Sequence, residues 1–192
     1  MPEAAQALAA RSGVELCTGT ADIVELAARP GRDADLRTVA ASRGQLLPAF
    51  GRAIAGGNRL ALSVRPHRWL LLQAADDGRD PAGEWAAACG AAGTAVDLSS
   101  ALALLLLRGP MSAQLLGRYC RLDLGSERFG AGSAAASVMA QVPIMIVPRA
   151  LGLLLATPAS TARHFREWLV AAGGPFGMGP PRGVTTKELL GD

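Results

Sequence analysis

The stretch VDLSSALALLLLRGPMSAQLLGRYCRLDL, residues 96–124, contains the longest unbroken apolar run of the chain. Ala101–Leu107 has only apolar side chains, and charged residues bound the run at Asp97 and Arg108. A membrane-spanning helix needs about 20 apolar residues, roughly twice the length found here. A short apolar run between turn signals is instead typical of a strand buried on both faces. We therefore predict a central buried strand over residues 99–108.

A helix is predicted directly after this strand. Gly109-Pro110 ends the strand, and proline is tolerated at the first helical position because the N–H that it lacks would have no partner there. Apolar residues then recur at helical spacing, at Met111, Leu115, Leu116 and Tyr119. Residues 96–124 thus form a β-α unit, with the helix over 110–120.

Two segments of the chain resemble each other. WLLLQAADDGRDPAGEWAAACGAAG begins at Trp69, and LLLATPASTARHFREWLVAAGG begins at Leu153. In each, three leucines are followed at the same distance by Glu-Trp, then by alanines and a glycine, the usual residue just past a helix end. Trp85 and Trp168 lie 83 positions apart. We predict an internal duplication in which both tryptophans occupy equivalent positions in the core.

The duplication predicts two similar β-α-β-β-α halves, at residues 21–95 and 96–173. Their strands are predicted at 21–28, 59–64, 68–73, 99–108, 137–147 and 151–156, and their helices at 33–43, 82–92, 110–120 and 159–172. Such halves build antiparallel or mixed sheets with helices packed on them, which is an α+β fold. Residues 1–20 are predicted as an N-terminal arm, and residues 174–192, rich in Gly and Pro, as a C-terminal tail.

The charge content leaves two interpretations open. Charged residues make up 18% of the 192 residues, below the roughly 25% of an average globular domain. One interpretation is that a partner protein covers part of the surface, because interface cores are depleted in charge. The other is a compositional bias toward Ala, Gly and Arg. The net charge is +3, and 18 of the 19 basic residues are arginines without a basic stripe, so we do not expect nucleic-acid binding.

The cysteines and the apolar segments indicate a cytoplasmic protein. Cys17, Cys89 and Cys120 are widely spaced and form no Cys-x-x-Cys pair, so we predict neither a disulfide framework nor a zinc site. Reduced thiols fit the cytoplasm. Met1–Ala10 lacks the basic start of a secretory signal, and the second apolar stretch, VPIMIVPRALGLLLATP, is broken by prolines and an arginine. We do not expect the chain to insert into a membrane.

No cofactor-binding or metal-binding residue is predicted. GAGSAA, residues 130–135, matches a dinucleotide-binding pattern, but no predicted strand precedes it and no acidic residue follows at the required distance. Asp76, Asp77 and Asp80 lie in a loop between a strand and a helix, where Asp and Gly are typical turn residues. A metal site formed by these three residues is a weaker alternative.

No catalytic residue is predicted either. His67 lies in the turn RPHRW, and His164 lies on the last helix beside arginines, so neither belongs to a cluster of ligands. Ser112, His164 and Asp97 supply the residue types of a catalytic triad, but the chain has no Gly-x-Ser-x-Gly nucleophile elbow. A well-specified core without a visible active site indicates a non-catalytic subunit or a binding module.

Four stretches together resemble the γ subunit of heterotetrameric sarcosine oxidase. They are RPHRWLLL (65–72), VDLSSALALLLLRGPMSAQLLGRYCRLDL (96–124), FGAGSAAASVMAQVPIMIV (129–147) and PASTARHFREWLVAAG (158–173). In that family a strand leads to a Gly-Pro-x-x-Ala turn and a helix that ends in Cys-x-x-Asp-Leu. The matching residues here are Gly109, Pro110, Ala113, Cys120, Asp123 and Leu124, and a shared Trp-Leu-Leu strand matches Trp69–Leu71.

The resemblance implies a specific assembly. Such an oxidase has α, β, γ and δ subunits, demethylates sarcosine oxidatively with formation of peroxide, and passes the one-carbon unit to tetrahydrofolate. It implies FAD, FMN, NAD, tetrahydrofolate and zinc on the other subunits and no cofactor on this chain, whose main contact is expected with the α subunit. It also implies a fold similar to the folate-binding aminomethyltransferases.

Two alternatives to a γ subunit stay open. One is a free-standing folate-binding relative of the aminomethyltransferases. The folate-dependent tRNA-modification proteins of that superfamily carry a Lys-Gly-Cys-Tyr-x-Gly-Gln-Glu stretch, which is absent here. The other is an adaptor domain unrelated to amine oxidation.

Overall fold

Two β-sheets pack face to face, and helices cover the outer face of each sheet. The structure, a computed structural model, describes residues 13–76 and 78–191. Its strands are β1 Glu15–Gly19, β2 Asp22–Ala28, β3 Arg52–Gly56, β4 Arg59–Arg65, β5 Arg68–Gln73, β6 Gly93–Asp97, β7 Leu102–Arg108, β8 Ala135–Met139, β9 Val142–Arg149, β10 Gly152–Pro158 and β11 Arg182–Gly183. Its α-helices are α1 Asp33–Ser42, α2 Pro81–Cys89, α3 Ser112–Gly117, α4 Ala159–Gly173 and α5 Thr186–Leu190.

The apolar run forms β7, which lies inside the six-stranded sheet between β1 and β10. Leu104 and Leu106 pack toward the second sheet, whereas Leu105 and Leu107 pack against helices. All four side chains are at most 4% exposed. The prediction of a strand buried on both faces is confirmed. The strand begins at Leu102 instead of residue 99 because the preceding residues form a hydrogen-bonded turn.

The strand orders of the two sheets confirm the α+β fold with two similar halves. The six-stranded sheet has the order β11-β1-β7-β10-β9-β8, and the five-stranded sheet has the order β3-β4-β5-β2-β6. Strand for strand, β8-β9-β10-β7-β1 corresponds to β3-β4-β5-β2-β6. The first residues of β3 and β8, Arg52 and Ala135, lie 83 positions apart, the spacing of the sequence repeat. All pairs are antiparallel except β1 with β11, which is parallel.

Each half contributes its first strand to the sheet of the other half. β1 precedes β2 in the chain but pairs with β7. In the same way, β6 precedes β7 but pairs with β2. The repeating unit is therefore β-β-α-β-β-β-α, longer by two strands than the predicted β-α-β-β-α unit. The division of the chain at residues 95 and 96 stays a prediction, although the exchange of strands places β6 at the start of the second unit.

Three apolar layers hold the sheets and helices together. The layer between the sheets contains apolar side chains from both, including Ile23, Leu70 and Leu154. One outer layer joins the six-stranded sheet to α3 and α4, and the other joins the five-stranded sheet to α1 and α2. Burial of each large apolar side chain contributes about 1.5–3 kcal/mol relative to exposure. Most of the core is Leu, Val, Ile and Ala, in agreement with the low aromatic content of 4%.

The predicted N-terminal arm and C-terminal tail differ from the structure. Residues 1–12 of the arm lie outside the described residues, but Glu15–Gly19 form β1, paired over its whole length with β7. In the predicted tail, residues 182–183 form β11 and residues 186–190 form α5. Leu189 and Leu190 are fully buried in the layer between the sheets. Burial of these two leucines explains why residues 186–190 pack on the fold instead of forming a tail.

Polar contacts fix both ends of α5. Thr185 and Glu188 form a capping box, in which the Glu188 N–H donates to Thr185 Oγ at 3.2 Å and the Thr185 N–H donates to Glu188 Oε2 at 3.0 Å. At the other end, Arg108 donates to the Glu188 carbonyl and Arg149 to the Leu190 carbonyl. Cationic donors at the last carbonyls of a helix complement its dipole. The short helix thereby closes the layer between the sheets.

Two more predictions need correction. The strand predicted over 137–147 is a hairpin of β8 and β9, because Ala140 and Gln141 both have positive φ, 50° and 63°, as a two-residue hairpin turn with the strand twist requires. The helix predicted over 110–120 extends only from Ser112 to Gly117. Within the described residues, no helix combines the length and apolarity needed to cross a bilayer.

Candidate functional site

The two histidines lie on elements that belong to different sheets, and they do not form a joint site. His67 is in the turn between β4 and β5, and its Nδ1 lies 2.6 Å from Asp33 Oδ1 at the start of α1. His164 is exposed on α4, which packs on the other sheet. The positive φ of His67, 61°, follows Pro66 as in a turn that requires such a residue at its second central position. His67 therefore connects the β4–β5 turn to the start of α1 through its contact with Asp33.

The triad residue types are also engaged locally. The Ser112 hydroxyl donates to the Gly109 carbonyl at 2.8 Å and is buried. The Asp97 carboxylate accepts from both the N–H and the hydroxyl of Ser99, at 2.8 and 2.6 Å. These hydrogen bonds from Ser99 lower the pKa of Asp97 below its ordinary value. The Ser112 hydroxyl and the Asp97 carboxylate therefore each stabilise a local turn.

The two described aspartates of the loop before α2, Asp76 and Asp80, accept hydrogen bonds from different backbone N–H groups. Asp76 Oδ1 accepts from the Gly78 N–H at 3.2 Å, and Asp80 caps α2 by accepting from the Gly83 N–H at 2.8 Å. Asp77 lies outside the described residues. Among the residues that the structure describes, no group of three or more His, Cys, Asp or Glu side chains is arranged to hold a metal ion.

The three cysteines are free and buried. Burial raises the pKa of Cys17, and the carboxylate of Glu15 raises it further. Burial also raises the pKa of Cys89. The Cys120 thiol lies 3.4 Å from Ser137 Oγ. Because the thiolate is the reactive form, a raised pKa and burial make Cys17 and Cys89 poor nucleophiles.

The glycine pattern at residues 130–135 lies ahead of a strand. It leads into β8, which begins at its last residue, Ala135, whereas a dinucleotide-binding loop follows a strand and opens a helix. Its Gly132 has a φ of 76° and its carbonyl accepts from the Ala53 N–H of β3 at 2.9 Å. The loop therefore joins the edges of the two sheets.

The repeated tryptophans differ in burial. Trp85 is 8% exposed and packs between α2 and the five-stranded sheet, as predicted for the core. Trp168 is only half-buried and packs at the margin of its layer, with its ring centroid 4.9 Å from that of Tyr119. The sequence repeat thus preserves the position on the helix but not the same depth of burial.

Several large apolar side chains are exposed on or beside two terminal strands of the sheets. β3 and β8 are terminal strands of their sheets, and Ile54 and Val138 on them are 38% and 62% exposed. Leu46 and Phe50, in the loop that leads into β3, are 62% and 64% exposed. We call these four residues the edge surface. Exposed sheet edges and exposed apolar side chains are typical of surfaces that meet a partner protein.

The fold belongs to a class that includes the aminomethyltransferases. The structure matches the glycine cleavage system aminomethyltransferase T from Bartonella henselae with a TM-score of 0.63 and 15% identity. The match covers 95% of this chain and 52% of that protein. At this identity the likeness is one of fold. It agrees with the fold that the sequence resemblance implies.

The chain is similar in sequence and fold to the γ subunit of sarcosine oxidase, as its sequence motifs predicted. Sarcosine oxidase subunits gamma from Arthrobacter sp and from Corynebacterium sp. (strain P-1) are 32% and 30% identical over 111 and 118 residues. These alignments cover 56% and 58% of this chain and only 54% and 58% of the relatives. No protein-family model matches the chain.

A solved structure extends the match to nearly the whole chain. A chain of the heterotetrameric sarcosine oxidase from Corynebacterium sp. U-96, in complex with pyrrole 2-carboxylate, superposes with a TM-score of 0.75 and 25% identity. The superposition covers 91% of this chain and 93% of that chain.

Proposed function

We propose that this chain is the non-catalytic γ subunit of a heterotetrameric, sarcosine oxidase-like flavoenzyme. The superposition on a chain of heterotetrameric sarcosine oxidase carries the proposal, because it covers 91% of one chain and 93% of the other. In this assignment, the α, β and δ subunits hold FAD, FMN, NAD, tetrahydrofolate and zinc. The complex oxidises sarcosine or a related N-methyl amine, with the one-carbon unit passing to tetrahydrofolate and peroxide released.

The role of the chain is assembly and stability of the complex. Two features support this role. The edge surface exposes four large apolar side chains on or beside the terminal strands β3 and β8, and large exposed apolar side chains are typical of surfaces that a partner protein covers. The charged fraction of 18% is low, as expected where part of the surface is buried in an interface.

The test is co-expression of a tagged chain with the α, β and δ subunits. We expect the four subunits to co-purify in equal amounts and the complex to release peroxide when sarcosine is added. Omission of the γ chain should lower the yield and thermal stability of the complex far more than the turnover of whatever complex forms. The isolated chain should show no flavin absorbance.

Two results would overturn the proposal. One is oxidation of an N-methyl amine by the isolated chain, or tight flavin binding to it. The other is failure of the wild-type chain to enter any complex with the three partner subunits. Calorimetric titration of the isolated chain with tetrahydrofolate distinguishes the subunit from a free-standing folate-binding protein, which would bind stoichiometrically.

A further inference from the structure

A surface groove of about 320 Å³ lies where β1 ends, between the first residues of β7 and the first turns of α4. β1 pairs only with residues 104–108 of β7, so Leu102 and Ala103 extend beyond it. These two residues are only half-buried, whereas the four leucines that follow, at positions 104–107, are buried. We call this site the arginine-rimmed groove, because Arg163 and Arg166 of α4 form one side of it.

The walls of the groove are mainly apolar. Ile23, Leu102, Ala103 and Ala162 contribute to them, and Thr18, Thr20 and Ser99 add hydroxyl groups. No carboxylate of the residues that the structure describes lines the groove. The nearby Asp97 carboxylate lies behind Ser99, which donates two hydrogen bonds to it. A ligand in the groove therefore meets apolar side chains at the centre and cationic groups at the rim.

The two arginines are available to a ligand. Both are exposed, and within residues 13–76 and 78–191 neither guanidinium has a hydrogen bond or an ion pair. Many other arginines of the fold are paired, for example Arg65 and Arg68, which both contact the buried Glu25. Two unpaired guanidinium groups one helical turn apart form a strong site for carboxylates, because each offers several donors in a planar fork.

The N-terminus of α4 adds to the positive potential at this end of the groove. The helix has 15 residues, with no side-chain cap and no acidic residue in its first turn. The unpaired N–H groups at such an end carry a partial positive charge. Ala162 places this first turn in the wall of the groove. The helix end and the two arginines therefore both attract a bound anion.

A protein segment fits the groove better than a small molecule does. A small-molecule site usually has a few buried polar groups that fix the orientation of its ligand. Here the hydroxyl of Ser99 is already engaged by Asp97 and by the Ile23 N–H. Of the other two lining hydroxyl residues, Thr18 is only half-buried and Thr20 is exposed, and the cationic groups lie at the exposed rim. An apolar centre with arginines at the margin is instead the usual composition of a protein–protein interface.

We infer that the arginine-rimmed groove binds a segment of a partner subunit in which an apolar side chain is flanked by Asp or Glu. The apolar side chain contacts Leu102 and Ala103, and the carboxylates pair with Arg163 and Arg166. This inference rests on the proposed function, because it assigns part of the contact between this chain and its partners. It adds a charged contact to the apolar edge surface described above.

The test reverses the charge at the rim. In the double variant Arg163→Glu/Arg166→Glu, capture by the co-expressed α, β and δ subunits should weaken by about tenfold or more, because buried or half-buried charge pairs couple by more than 1.4 kcal/mol. The matched control is Arg59→Glu/Arg121→Glu, which changes the net charge equally at two exposed arginines outside the groove. The control should bind within about twofold of wild type.

A second variant separates binding from folding. Ala162→Glu places a carboxylate in the wall of the groove, four residues before Arg166, where an acidic residue in the first helical turn stabilises the helix. We expect unchanged circular dichroism and an unchanged or higher melting temperature, together with weaker capture. Salt should weaken capture of the wild type more than capture of the double variant.

The outcomes distinguish this inference from the proposed function. If the wild-type chain is not captured at all, the proposed function fails and the groove assignment fails with it. If the wild type is captured and the double variant binds equally well, only the groove assignment fails. Stoichiometric binding of succinate to the isolated chain, lost in the double variant, would also overturn the assignment and identify a small-molecule site.

Discussion

Arg52 and Ser133 face each other in an antiparallel bridge that joins the edges of the two sheets. Around them, the Ala53 N–H donates to the Gly132 carbonyl and the Ala134 N–H donates to the Gly51 carbonyl, both at 2.9 Å. Gly51 and Gly132 share a φ of 76°. The bridge is therefore symmetric, and each half of the molecule supplies one glycine and one alanine to it.

The first prediction concerns Gly132. Replacement by alanine should destabilise the fold by about 1–2 kcal/mol, because an L-residue is strained at positive φ. The added Cβ would also lie 3.2 Å from Arg52 Nη2. The control is Gly117→Ala, in α3, where the Cβ meets open space and alanine should stabilise the helix by about 0.5–1 kcal/mol. Urea unfolding measures both, and equal effects of the two substitutions would contradict the assigned role of the bridge.

The second prediction compares the repeated tryptophans. Trp85→Ala should cost about 3–5 kcal/mol, as for other buried aromatic residues. Trp168→Ala should cost less, about 2 kcal/mol, because part of its ring is already in contact with water. Chemical denaturation monitored by circular dichroism gives both values. A loss below about 1 kcal/mol for Trp85→Ala would exclude a core position for that side chain.

The third prediction concerns thiol reactivity. An aromatic disulfide reagent should not label Cys17, Cys89 or Cys120 in the native protein, because all three are buried and burial raises the pKa of the first two. All three should react after denaturation. A cysteine introduced at the exposed Ser160 serves as the control and should react rapidly. Rapid labelling of any natural cysteine in the native state would show an accessible thiol.

The fourth prediction is a dependence of stability on pH through Glu188. Hydrogen bonds from Thr185 lower the pKa of this carboxyl from its ordinary value of 4.5. The folded state therefore favours the ionised carboxylate, so its stabilisation is present above pH 4.5 and is lost as the pH falls through the lowered pKa.

The variant Glu188→Gln isolates this effect. The difference in unfolding free energy between wild type and Glu188→Gln should be largest near neutral pH and should shrink as the pH falls below the ordinary value of 4.5. Glu127→Gln, at an exposed residue, is the control. A difference that stays constant across this pH range would show that the capping box does not depend on the charge of Glu188.

Long-range strand pairing was the main feature that sequence patterns did not reveal. The buried strand β7 and the repeat of Leu-Leu-Leu and Glu-Trp were visible because periodicity and spacing are local properties of the sequence. β1 and β6 have five residues each and pair with strands of the other half. Such short strands carry little periodic signal, and their pairing depends on the sheet rather than on their neighbours in sequence.

The C-terminal helix α5 did carry a local signal. Thr185-x-x-Glu188 followed by two leucines is the pattern of a capping box at a helix start, although the Gly- and Pro-rich residues before it indicate a flexible tail. The arginine-rimmed groove had no comparable signal. Arg163 and Arg166 resemble ordinary solvated residues of a helix until the fold places them beside the end of β1.

The exchange of β1 and β6 between the halves has a consequence for the origin of the molecule. A protein made of one repeat would complete its sheet only with the first strand of a second copy, so it would exist as an intertwined homodimer. Fusion of two such copies makes this association intramolecular and independent of protein concentration. The two halves, residues 13–91 and 92–191, expressed as separate fragments, should accordingly refold together when mixed, and neither should fold as a monomer when alone. Folding of either fragment as a monomer would contradict this history.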